Sequence, residues 1–143
     1  MAVFTPVSRH QLESWLAHYP VGALVSFEGI ASGIENSNFF VDTDAGRWVL
    51  TLFERLPADK LPFYLELMRH LASHGIACPD PVTDRHGGLH SALAGRPAAL
   101  VTRLRGSGVT QPVVAHCVAV GRLLAQMHLA ARDYPGTEPN ARG

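Results

Sequence analysis

Lysine is almost absent from this chain of 143 residues: Lys60 stands alone beside eleven arginines. Positive charge offered to an anion must therefore come mostly from guanidinium groups, or be replaced by hydroxyls and amides. Cysteine is scarce as well. Cys78 and Cys117 are too few and too isolated for a metal knuckle or a redox CxxC pair, and read as free thiols of a reducing compartment. Neither sign of charge dominates, twelve basic residues offsetting twelve acidic ones, which argues against a nucleic-acid or polybasic membrane surface. The opening MAVFTPVSRH lacks the basic-then-apolar order of a secretory leader, and no apolar run is expected to reach the length that crosses a bilayer. Cytoplasm is the expected compartment. No GxGxxG, P-loop or GxSxG string occurs. What is present is a globular balance, 47% hydrophobic and 17% charged, in a chain long enough to bury a core.

Periodicity divides the chain into an α+β lobe and a separate helix. Ser8 and Gln11 form a capping-box pattern ahead of Leu12, Trp15, Leu16 and Tyr19, which predicts a helix over 9–18 closed by Pro20. Strands are expected over 23–30, 39–43 and 48–53, the last two joined by a turn at Asp44, Ala45 and Gly46. In the third, Trp48, Leu50 and Leu52 share one face while Val49, Thr51 and Phe53 share the other. Pro62 suits the first turn of a helix ending near Gly75, whose ridge Phe63, Leu67 and Leu71 should pack on the sheet. Short strands follow over 82–84 and 89–93, a turn over 94–97, and a buried strand over 98–104. Arg105 to Gly108, reading RGSG, has the composition of a hinge.

A long helix is expected over 112–131, capped by Thr110. Val114, Cys117, Val118, Gly121, Leu124, Ala125 and His128 follow one face, and Val113, Val120, Leu123, Met127 and Ala130 cover much of the rest. A helix apolar over so much of its circumference needs a cover that the polar tail 133–143 does not provide. Either a further lobe or a second copy of the chain would supply it. His70 and His74 stand at i, i+4 without a third ligand at a recognisable spacing, and read as exposed helix residues.

The stretch GIENSNFFVDTDAGRWVLTLFE, with LPFYLELMRHLASHGIACPDPVTDR, LAGRPAALVT and LAQMHLA in the same order, resembles homoserine kinases of the aminoglycoside phosphotransferase and protein-kinase-like superfamily. The likeness runs from Val3 to Asn140. Family members are about twice this length, so the resemblance implies an amino-terminal piece. Its parts would be a nucleotide-covering lobe over 1–104, a hinge over 105–110 and the start of a second lobe over 111–143.

By the same resemblance, Gly33, Asn36, Ser37 and Asn38 form a phosphate-side loop and Val49 roofs the adenine. Thr102, Arg103 and Leu104 offer backbone hydrogen bonds to its edge. Thr51 occupies the strand position where kinases usually carry a phosphate-pairing lysine; Arg55 and Arg103 are candidate substitutes, and Glu66 sits on the helix that carries the lysine's partner in protein kinases. The implied substrates are ATP, with Mg²⁺, and L-homoserine, phosphorylated for threonine biosynthesis. The catalytic and metal-binding acids would lie past Gly143, leaving this piece inactive alone. Two other readings remain open: a kinase acting on a different small alcohol, and a non-catalytic interaction module.

Overall fold

The computed structural model describes residues 3–139. Helix α1 (Arg9–Leu16) precedes strands β1 (Leu24–Gly29), β2 (Asn36–Thr43) and β3 (Gly46–Phe53). Helix α2 (Leu61–Ser73), strands β4 (Ser91–Leu93) and β5 (Arg96–Thr102), helix α3 (Val114–Ala130) and a single 3-10 turn, Ala131–Asp133, follow. The strands make one antiparallel sheet in the order β1-β2-β3-β5-β4.

The capping box at the start of α1 is formed in both directions, Ser8 Oγ accepting from the Gln11 N–H at 3.2 Å and Gln11 Oε1 accepting from the Ser8 N–H at 2.9 Å. The helix stops at Leu16, two residues short of the expectation, because the N–H groups of His18 and Tyr19 reach back only three residues, to Trp15 and Leu16. The guanidinium of Arg85 donates to the freed carbonyls of Ala17 and Tyr19, at 3.3 and 3.5 Å.

Alternation along β2 buries Ser37, Phe39, Val41 and Thr43 on one side of the sheet. Phe39 and Val41 join Leu50, Leu52, Ala98 and Leu100 beneath Leu12, Trp15 and Leu16 of α1, the main core. Each of these large side chains stabilises by roughly 1.5–3 kcal/mol, and a one-residue slip of β2 would turn Asn38 and Phe40 inward in their place.

On the other side α2 lays Leu61 and Leu65 on Leu89 and Ala99, with Phe53, Leu56 and Met68 at the margin. The expected ridge Phe63, Leu67 and Leu71 is therefore rotated. Leu71 is buried, but Phe63 turns to the ring of Tyr134, their centroids 5.7 Å apart.

Elsewhere the strand boundaries shift for local reasons. Pro79 and Pro81 lack the N–H that a ladder needs, so the strand expected over 82–84 shrinks to one bridge between Pro81 and Val101. The strand expected over 89–93 begins only at Ser91, and the turn over 94–97 contracts to Ala94 and Gly95, both at positive φ (50° and 76°), the geometry of a two-residue hairpin. β5 accordingly begins at Arg96 and ends at Thr102 rather than Leu104. Residues 103–113 form no helix or strand. Thr110 does not cap α3; His116 Nδ1 accepts from the Val113 N–H instead, at 2.9 Å.

Gly22 has φ of 79°, and a Cβ placed there would collide with the Asp44 carboxylate that accepts from the Ala23 N–H. Gly22→Ala is expected to destabilise by about 1–2 kcal/mol, read from the urea midpoint.

None of α3 is buried: Val114 is 80% exposed and Val120 64%. The cover that the sequence demands is absent among the described residues. Val114–Asp133, 20 residues that contain an 18-residue window of mean hydropathy 1.3, is also long and apolar enough to cross a membrane by length and composition. That corrects the expectation that no stretch reaches this length. Arg122, Gln126 and His128 interrupt the apolar run, yet the average over that window still passes.

Candidate nucleotide-facing site

The register of the sheet sorts the expected site residues. Asn38 lies opposite Thr51, Phe40 opposite Val49, and Asp42 opposite Arg47; on the next strand Thr51 pairs with Ala99 and Val49 with Val101. All of these are on the sheet face away from α1. Helix α2 covers the part of that face beside Phe53 and Ala99, so the surface around Phe40 and Val49 stays open on its far side. The loop 31–35 joins the face at one end, and the 103–113 connector leaves it at the other.

At the loop end the chemistry is neutral and polar. Thr51 Oγ1 donates to Asn38 Oδ1 at 2.8 Å, and Asn38 Nδ2 donates to the Asn36 carbonyl at 3.4 Å, which leaves one amide N–H of Asn38 as a donor. Gly33 adopts φ of 124°, available to glycine and little else. Asn36 and Asn38, expected in the loop, are the first rungs of β2, facing Phe53 and Thr51. The long partner strand β3 extends the pairing past the limit suggested by propensity alone.

Ser37 needs correction in the same terms. Its side chain points to the opposite face and is completely buried. Ser37 Oγ accepts from the N–H groups of Phe4 (2.8 Å) and Thr5 (2.9 Å) and donates to Glu54 Oε1 at 2.5 Å. Glu54 also accepts from the Thr5 hydroxyl at 3.0 Å and pairs with Arg96 at 3.1 Å, its side chain only 10% exposed. Burial pushes the Glu54 carboxyl up, but the bonds from Ser37 and Thr5 and the Arg96 charge outweigh it, holding the group below its ordinary value.

The end that meets the 103–113 connector is aromatic and basic. The Arg103 guanidinium lies 3.8 Å from the centroid of the Phe40 ring. Asp42 Oδ1 is buried without a hydrogen bond, between Arg47 Nε at 3.9 Å and an Arg103 terminal nitrogen at 4.0 Å. The Arg103 partners Phe40 and Asp42 stand two and four residues along β2 from Asn38, roughly 7 and 13 Å along a strand, so Arg103 is seated toward the Asp42 end of the face. Arg55 is exposed, as is Glu66.

The backbone of the expected base-edge segment is partly engaged. The Thr102 N–H donates to the Asp80 carbonyl and its hydroxyl accepts from the Asp80 N–H, both at 2.9 Å; the Arg103 N–H donates to Arg47 at 3.3 Å. Leu104 lies beyond the last rung and is 48% exposed.

Phe40 and Asp42 are residues of this face that sequence reasoning did not name; Arg103 was expected as a substitute for the lysine, not as the partner of these two. The alternation of β2 was the signal that pointed to both, since they share a face with Asn38.

No group of three His, Cys, Asp or Glu positioned for a metal occurs among the described residues. His70 and His74 do not form one: His70 Nε2 bonds the Ala130 carbonyl at 2.8 Å, and His74 Nδ1 bonds the His70 carbonyl. Burial, with Asp80 near it, pushes the Cys78 thiol up, away from nucleophilic reactivity.

The profile of the phosphotransferase enzyme family matches residues 26–143. The chain belongs to the phosphotransferase enzyme family. Among its curated relatives, the homoserine kinases of Paraburkholderia xenovorans and Burkholderia multivorans are 56% and 57% identical to it over 142 residues. These alignments cover 99% of this chain and 43% of each relative, so this phosphotransferase sequence spans less than half their length.

Its fold is that of solved phosphotransferases. A spectinomycin phosphotransferase determined with ADP and spectinomycin matches with a TM-score of 0.68 at 17% identity, over 94% of this chain and 40% of that one. An amicoumacin kinase determined with AMP-PNP and calcium matches with a TM-score of 0.72, also at 17% identity, over 92% and 42%. The protein-kinase-like lobe expected from the sequence is thus the observed architecture.

Proposed function

We propose that this chain is the nucleotide-covering part of a homoserine kinase, which transfers the γ-phosphoryl group of ATP to the side-chain hydroxyl of L-homoserine and yields O-phospho-L-homoserine for threonine biosynthesis. The observation that carries this reading is 56–57% identity to two homoserine kinases across 99% of the chain. In this reading residues 1–104 cover the nucleotide, 105–110 form the hinge, and 111–143 begin a lobe that encloses α3. The enzyme works in the cytoplasm on small molecules, with no nucleic-acid or membrane partner.

The open sheet face suits the role assigned to it. Phe40 and Val49 offer apolar contact to a flat base, and Leu104 offers its backbone beyond the end of the ladder. Gly33, Asn36 and Asn38 lie toward the phosphates, where the Asn38 amide donates and Thr51 fixes its orientation. Ser37 holds β2 in place from behind. A hydroxyl paired with an amide supplies hydrogen bonds but no charge, so neutralisation of the phosphates falls to Mg²⁺. The residues described here do not form a site for that ion, and its ligands are assigned to the lobe that follows.

The full-length protein should release ADP in a coupled assay only when L-homoserine is added. Residues 1–143 alone should give no turnover. In the full-length enzyme Thr51→Val should lower kcat/KM for ATP about three- to tenfold, the scale of one net hydrogen bond. Turnover with aminoglycosides, choline or sugars but not homoserine would sink the acceptor assignment, and a stable dimer that masks α3 without nucleotide binding would favour an interaction module.

A further inference from the structure

The segment after α3 folds back along α2, and three sets of contacts fasten it there. At the start of α2, Lys60 Nζ meets Glu138 Oε1 at 2.7 Å. One turn on, the Tyr134 hydroxyl donates to the Phe63 carbonyl at 2.9 Å while the two rings meet edge to face. Near the end of the helix His70 Nε2 bonds the Ala130 carbonyl at 2.8 Å, and its ring lies 5.4 Å from that of Tyr134. As α2 advances from 60 to 70, its partners descend from 138 to 130, so the two segments run antiparallel for the length of the helix.

We propose that residues 130–138 are a brace that locks α2 to α3, so that the two helices move as one body against the sheet. Two features make this more than incidental packing. The contacts of α3 run to α2 and to the 3-10 turn, with no comparable contact to any strand. The opposite side of α2 rests on the sheet through Leu61, Leu65 and Ala99. Any change in angle between α3 and the sheet therefore passes through the layer between α2 and β5, beside the face that carries Thr51 and Asn38. A carbonyl in the last turn of a helix is a natural acceptor for an imidazole N–H, and the Tyr134 ring fills the space between the two attachment points. The inference stands on these contacts and holds whatever the open face binds.

Amide hydrogen exchange in the protein tests it. Tyr134→Ala should speed exchange in α2 and in the last turn of α3 together, by about three- to tenfold, the factor expected from one net hydrogen bond. Amides of β2, β3 and β5 should keep their rates. Lys60→Glu should loosen the first turn of α2, and Glu138→Lys in that background should restore it. Unchanged exchange in α2, an increase spread evenly over the sheet, or failure of the charge exchange to restore protection would each overturn the brace. Should Tyr134→Ala not fold, Tyr134→Phe, which removes only the bond to Phe63, carries the same expectation at the lower end of the range.

Discussion

Ser37→Ala is expected to lower stability by about 3 kcal/mol without touching any ligand. The Ser37 hydroxyl is the acceptor for the Phe4 and Thr5 N–H groups and the donor to Glu54. Its removal leaves backbone donors without a partner at a buried site, about 1–3 kcal/mol for each group so stranded, relieved in part because Phe4 itself is exposed. For a chain of this size the melting temperature should fall by roughly 10 °C. The same cluster sets an acid limit. Because the Glu54 carboxyl is held below its ordinary value in the folded state, its stabilisation is complete above the unfolded value, near pH 4.3. It is lost as the pH falls through the lower, folded value. Glu54→Gln should be less stable at neutrality and lose less on acidification. A Ser37→Ala protein that melts with wild type, or an acid profile identical in Glu54→Gln, would show that the amino-terminal segment is not anchored here.

Val49→Phe should weaken nucleotide binding about a hundredfold, or roughly 2.7 kcal/mol, in the full-length protein. Val49 lies between Phe40 and Val101 in the middle of the open face and is only partly buried. A larger ring there occupies the space above the sheet into which a base would fit, and the core, on the other side of β3, is not disturbed. The change in stability should therefore stay within about 1 kcal/mol. Isothermal titration with a non-hydrolysable ATP analogue, alongside a thermal melt, separates the two effects. Undiminished affinity in a folded variant would remove the base from this face and with it the arrangement proposed for the phosphates.

Much of this was legible because period and punctuation agree over long stretches. The faces of β3, the Ser8 cap and the unmet need of α3 for a cover all follow from the spacing of polar and apolar residues. Where sequence reading failed, a long-range partner decided. β2 begins at Asn36 because Thr51 to Phe53 are there to pair with it, and polar composition cannot report a partner thirteen or more residues away. Ser37 resembled a loop residue for the same reason: its role depends on Phe4, Thr5 and Glu54, none of them near in sequence. Rotation of α2 by about one position moved Phe63 off the sheet, since Tyr134, 71 residues on, holds it from the other side.

The solitary lysine has a practical corollary. Acylating reagents find one side-chain amine in the whole sequence, and it is the one clasped by Glu138. That bond keeps the Lys60 ammonium protonated to higher pH than usual, so labelling should be slow until the carboxylate lets go. Surface immobilisation or tagging through this amine would sever the clasp it depends on.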